Sequence, residues 1–140
     1  MRVDGRPVGE IGTGLLAFVG VEVGDTPEDA VYLANKTADV RVFADVDGRM
    51  SRSVVEVGGA VLVVSQFTLT GSTRRGRRPS YDRAAPPDIA ERMYLGFADR
   101  VRARGVPVAL GAFGAMMEVE MVNDGPVTLL LDPPPGRDST

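Results

Sequence analysis

Two runs, Gly14 to Val23, apolar but for Glu22, and Ala60 to Val64, restrict this chain more than any other feature, because neither alternates apolar with polar residues as a strand with a solvent-facing side would. A strand exposed on one face alternates apolar and polar residues with a period of two, whereas Ala60-Val61-Leu62-Val63-Val64 is apolar on both faces. The valine-rich, glycine-bounded run Gly14 to Val23 likewise reads as a buried strand. With 140 residues and 44% hydrophobic content, one core is expected: a single domain over residues 1–132 and an extended, disordered tail over residues 133–140.

Helical patterns lie between and after these runs. Thr26-Pro27-Glu28-Asp29 supplies a capping hydroxyl, a proline at the first helical position and acids in the first turn. The helix it opens runs to about Val40, with Ala30, Leu33, Ala34, Thr37 and Ala38 facing inward. A second helix is expected from about Pro87 to Arg104, burying Ala90, Met93, Tyr94, Phe97, Ala98 and Val101 and stopping at Gly105. Shorter strands are expected at Arg41 to Ala44, Pro107 to Leu110, Met116 to Val122 and Val127 to Leu131, with an edge segment at Val54 to Val57. This mixture is an α+β pattern.

Composition limits the chemistry. The chain has no histidine and no cysteine, so the usual general base near neutral pH and every thiolate nucleophile or metal ligand are absent. Lys36 is the sole lysine and lies in the first helical pattern, a poor place for Schiff-base chemistry. Hydroxyls, amides, carboxylates, arginines and backbone groups remain. No apolar run approaches the roughly 20 residues of a membrane span, and Met1-Arg2-Val3-Asp4-Gly5 opens without a signal-peptide core, so a cytoplasmic protein without membrane contact is expected.

Polar groups arrive where pure core is expected. The strand that starts at Ala60 is read through to Leu69, and on it Gln66 and Thr68 share one face while Ser65 and Phe67 share the other. Gln66 and Thr68 would stand side by side at one mouth of the sheet, offering the donors needed to hold a polarised ester carbonyl. Threonine also suits strands, so an ordinary structural role stays open. Asn123-Asp124-Gly125-Pro126-Val127-Thr128 is a hairpin signal first, and it could also expose backbone edges to a ligand. Arg74, Arg75, Arg77 and Arg78 crowd a long loop on a chain whose net charge is −3, either as a solvated loop or as a local phosphate contact. Phe113 to Met117 reads as core packing or as an adaptable wall against a base.

In order and spacing these strings resemble the D-aminoacyl-tRNA deacylase family. The likeness rests on Val8 to Leu16, Gly58 to Leu69 with its Ser-Gln-Phe-Thr-Leu end, Arg74 to Ser80, Phe113 to Met117 and Asn123 to Thr128. The resemblance implies a barrel-like pair of mostly antiparallel sheets with two flanking helices. It also implies a homodimer that cleaves the ester between a D-amino acid and the terminal adenosine of tRNA, without a metal or other cofactor. Carried over, the catalytic residues are Ser65, Gln66, Phe67 and Thr68, with Thr68 positioning the substrate while the ribose 2′-hydroxyl or water attacks. Gly125 and Pro126, as a cis pair reaching into the partner's pocket, would reject L-amino acids, and glycyl-tRNA would pass. Phe113, Met117 and Asn123 would bind substrate, and Arg74, Arg75, Arg77 and Arg78 would contact tRNA. Two readings stand beside this one: a relative with a trans Gly-Pro bond acting on L-alanyl-tRNA, and a nucleic-acid-binding homologue without catalysis. The chain departs from the family's pattern in having no Gln-Arg-Val strand ahead of Val3 and in carrying Ser51 where asparagine is usual.

Overall fold

A computed structural model describes residues 1–134. Two short strands, β1 (Arg2–Val3) and β2 (Arg6–Pro7), pair antiparallel ahead of β3 (Gly14–Val19). Helix α1 (Pro27–Asp39) leads to the antiparallel ribbon β4 (Phe43–Ala44) and β5 (Met50–Arg52). Helix α2 (Val54–Val57), strand β6 (Ala60–Ser65) and a 3₁₀ turn (Phe67–Thr70) follow, then helix α3 (Pro87–Ala103) and strand β7 (Val108–Leu110).

The main sheet has the order β3-β6-β7 and is parallel throughout. This corrects the expectation of mostly antiparallel pairing for the main sheet: among the described residues there is one parallel sheet and two separate antiparallel ribbons. The physical reason lies in the connections. Parallel neighbours need long crossovers, and α1 and α3 occupy the two that join β3 to β6 and β6 to β7. Parallel strands are covered on both faces, so β6 has no polar side and Val61 to Val64 are all buried.

Its two faces feed two clusters. Val61 and Val63 pack with Ala34, Val54, Tyr94, Phe97, Ala98, Val101 and Val106 beneath the helices. Leu62 and Val64 turn the other way, against Met1, Leu16, Ala109 and Met117. Burial pushes the Tyr94 hydroxyl above its ordinary pKa, and that hydroxyl donates to the Gly111 carbonyl at 3.3 Å.

Helix α1 starts as its sequence implies, with Thr26 and Asp29 forming a reciprocal capping box. The same chemistry corrects the edge segment at Val54 to Val57, which is helical. Ser53 and Glu56 form a second box, and Gly58 closes the turn at φ +68°, so local capping outweighs the strand preference of three valines.

Other elements are shorter than expected. The Gly14 to Val23 run leaves the sheet after Val19, and Val21 and Val23 instead bond backbone to backbone with Ala85 and Arg83. The strand expected at Arg41 to Ala44 is confined to Phe43–Ala44. The strands expected at Met116 to Val122 and Val127 to Leu131 do not form. Glu118 makes one isolated bridge to Arg2, and Met121, Val122, Leu129 and Leu130 stay exposed. A strand needs a neighbour for its N–H and C=O groups, and among the described residues that one bridge is the only β pairing these segments make. Of the tail expected to be disordered, residues 135–140 lie outside the described residues.

The fold holds three carboxyls below their usual range. A hydrogen bond from Arg104 lowers Asp39, the Ser51 hydroxyl lowers Asp45, and the Ser53 N–H lowers Glu56. With folded values beneath the ordinary 3.8 and 4.5, this stability is complete above those values and is lost as pH falls through the lowered ones. The melting temperature should therefore be flat above about pH 5 and decline toward about pH 3, as followed by circular dichroism.

Candidate functional site

Parallel strands send their carboxyl ends to one edge of a sheet, where the outgoing loops meet. Here Val19 pairs with Ser65 and Val63 with Leu110, so the segments after β3, β6 and β7 leave from a common edge. Two backbone bonds continue the ladder into those loops: Gln66 N–H to Val19 O at 2.8 Å and Gly111 N–H to Val63 O at 3.0 Å.

After Ser65 the backbone tightens into the 3₁₀ turn instead of running on as a strand to Leu69. Thr70 Oγ1 donates to the Phe67 carbonyl at 2.8 Å, and the N–H groups of Leu69 and Gly71 reach the carbonyls of Gln66 and Thr68. Gln66 and Thr68 are together all the same, by this curl and not by strand alternation: Gln66 Nε2 donates to Thr68 Oγ1 at 2.5 Å. The leading N–H groups of such a turn, at Phe67 and Thr68, have no acceptor within it. Glycine makes the approach possible. A Cβ on Gly20 would lie 3.0 Å from Leu69 Cβ and 3.3 Å from the Gln66 carbonyl.

Phe67 is exposed, and its ring meets Tyr81 edge-on with centroids 5.0 Å apart. Phe113 is half-buried and tilts against Tyr94, with centroids 5.8 Å apart. Met117 belongs to the same loop, its sulfur accepting from Ala112 N–H at 3.3 Å. The packing and the ligand-wall readings of Phe113 and Met117 therefore share the same atoms.

Asn123 braces the Gly125–Pro126 loop. Its Oδ1 accepts from Val127 N–H at 3.1 Å and its Nδ2 donates to Thr128 Oγ1 at 3.0 Å. The Gly125–Pro126 peptide is cis, and Gly125 sits at φ +134°, where glycine is strongly favoured. Residues 121–130 are exposed, so this chain does not seat the pair in a pocket of its own.

The four arginines sit on a closed loop. Ser72 and Ser80 exchange two backbone bonds of 2.8 Å, and Arg74, Arg75, Arg77 and Arg78 between them are exposed. Among the described residues none of the four joins a salt bridge. An apolar groove of about 470 Å³ lies elsewhere, between α1 and α3, lined by Ala30, Val31, Ile89 and Met93. Apart from the Arg92 guanidinium its lining is apolar, whereas the sheet edge concentrates hydroxyl, amide and N–H donors.

Residues 1–132 match the family described as D-Tyr-tRNA(Tyr) deacylase. The chain belongs to that family. A D-aminoacyl-tRNA deacylase of Roseiflexus castenholzii is 57% identical over 132 residues, covering 94% of this chain and 84% of the relative. One from Syntrophotalea carbinolica is 56% identical, covering 94% and 89%. Among solved structures, a c-Myc DNA unwinding element binding protein is similar with a TM-score of 0.88 and 34% identity, covering 95% of this chain and 91% of that one. A probable eukaryotic D-amino acid tRNA deacylase shares the fold, with a TM-score of 0.63 at 18% identity and coverage of 72% and 75%.

For this deacylase-family chain, sequence reasoning passed over Tyr81, Gly20 and Gly71. The signal available for the glycines was their place on either side of the Gln66–Thr70 turn: Gly71 directly follows it, and Gly20 follows the neighbouring strand.

Proposed function

We propose that this chain hydrolyses the ester of D-aminoacyl-tRNA, releasing the D-amino acid and tRNA and sparing L-aminoacyl-tRNA. The observation that carries the reading is the turn at the carboxyl end of β6, where the Gln66 amide donates to the Thr68 hydroxyl and the leading N–H groups of Phe67 and Thr68 lie in the same three residues. Such donors hold a developing oxyanion and do not deprotonate a nucleophile. In this reading water attacks the ester carbonyl, hydrogen-bonded by the adjacent ribose 2′-hydroxyl, and its proton passes to the departing ribose 3′-oxygen as the carbonyl re-forms, freeing the D-amino acid and the tRNA. Attack by that hydroxyl itself would only move the acyl group from one ribose oxygen to the other.

Selection against L substrates falls to Gly125 and Pro126 of a second copy, whose backbone would fill the space an L side chain needs. The exposure of Met121, Val122, Leu129 and Leu130 around this loop in a single chain supports a homodimer. Glycyl-tRNA, having no side chain, would also be accepted. Phe113 and Met117 would face the terminal adenosine, Asn123 would hold the Gly125–Pro126 loop, and the four exposed arginines would contact acceptor-stem phosphates. Among the described residues no helix is long and apolar enough to cross a membrane, and we assign the activity to the cytoplasm, where aminoacyl-tRNA is used.

Incubation with D-Tyr-tRNA and L-Tyr-tRNA tests the reading. The D ester is expected to be consumed while the L ester persists beyond its spontaneous decay. Equal hydrolysis of both would remove Gly125 and Pro126 as the selecting element. The likeness to a DNA unwinding element binding protein favours a second reading, nucleic-acid binding without catalysis, and tRNA binding with no turnover of either ester would select it.

A further inference from the structure

We infer that Tyr81 is a positioning residue that holds the Phe67–Thr70 turn and ties it to the arginine-bearing loop, an inference that rests on the deacylase reading above. Three observations meet at its ring. Its centroid stands 5.0 Å from that of Phe67 with the planes at 66°, an edge-to-face geometry that favours one arrangement of the pair. The notch that receives it exists because residue 71 is glycine: a Cβ there would lie 2.8 Å from Tyr81 Cε1 and 3.0 Å from the Thr68 carbonyl. Tyr81 also directly follows Ser80, which closes the arginine loop onto Ser72 through two 2.8 Å backbone bonds.

The consequence is mechanical. Phe67 is more than half exposed at 57%, so few other atoms restrain its ring, and its backbone carries one of the N–H groups assigned to the oxyanion. A ring seated between Gly71 and Phe67 sets the turn's orientation, and because it begins where the arginine loop ends, a shift of that loop on phosphate reaches Thr68 through Tyr81. Tyr81 touches neither ester nor adenosine in this account. Its effect passes through Phe67.

The test compares Tyr81→Phe, Tyr81→Ala and Gly71→Ala in D-Tyr-tRNA deacylation, with Thr68 and Leu69 amide shifts recorded by NMR on the tRNA-free proteins. Misplacing a reacting geometry by about 1 Å can cost about 10²-fold, so Tyr81→Ala is expected to lower kcat by about 10- to 100-fold with KM for tRNA unchanged. Tyr81→Phe should keep wild-type kcat, and Gly71→Ala, which pushes the ring out of its notch, should resemble Tyr81→Ala. Both damaging variants should move the Thr68 and Leu69 amides. Unmoved amides in Tyr81→Ala, unchanged kcat, or a loss confined to KM would overturn the inference. A wild-type protein without deacylase activity would instead sink the functional reading, and the amide shifts would then decide the brace by themselves.

Discussion

Replacing the terminal adenosine of D-Tyr-tRNA by its 2′-deoxy form should abolish turnover, while Thr68→Ala should leave hydrolysis measurable. The asymmetry follows from what surrounds Thr68. Its Oγ1 accepts a hydrogen bond from Gln66 Nε2, which leaves the hydroxyl proton with no base to receive it in a chain devoid of imidazole and thiol. Among the described residues, the groups with displaced pKa values, Asp39, Asp45, Glu56, Tyr94 and Arg104, belong to the capping and packing of other elements. Thr68 can orient a carbonyl, and losing one such contact costs about 10² to 10³ in rate. The 2′-hydroxyl is asked for more, because in the proposed reaction it is the group that holds the attacking water, so its removal should cost well over about 10³. Single-turnover rates with the two tRNA ends and the two proteins check this. Full activity on the 2′-deoxy end with none in Thr68→Ala would make Thr68 the nucleophile.

Gly14→Ala should be the most destabilising single substitution at a sheet glycine. Gly14 opens the β3–β6 ladder opposite Ala60, and a Cβ on it would lie 1.8 Å from the Ala60 carbonyl oxygen and 2.7 Å from its carbon. Both are backbone atoms of the central strand and cannot turn aside as a flexible side chain could, so β3 must move away from β6. The expected loss is about 3 kcal/mol or more, at the upper end for overpacking, which would lower the melting temperature by about 10 °C. Gly12→Ala is the control, since a Cβ there meets nothing within 4 Å. A melting temperature shared by Gly14→Ala and Gly12→Ala would show that the strands are not this close.

Helices α1 and α3 were legible almost to the residue, because proline at the first turn, an acid-rich start and a 3.6-residue apolar stripe are local facts of the chain. The burial of β6 was equally local, and Ser65 to Thr68 stand out as candidates because they interrupt an apolar run. Periodicity misled at Val54 to Val57 and at Gln66 to Leu69. There the decisive contacts were side chain to backbone, Ser53 with Glu56 and Thr70 with Phe67, and a valine count does not register them.

The chain's own sequence thus settled where α1 and α3 begin, that β6 is buried on both faces, and that any ester chemistry must proceed without imidazole or thiol. Tertiary structure decided that the sheet is parallel, that Gly20, Gln66 and Gly111 leave from one edge, and that Tyr81 meets Phe67 across 13 intervening residues. It also left Met121, Val122, Leu129 and Leu130 exposed in a single chain, although their apolar runs read as strands. The physical reason is the same in each case: capping and burial patterns are written within a few neighbouring residues, whereas pairing and contact between distant segments depend on which other backbone is at hand.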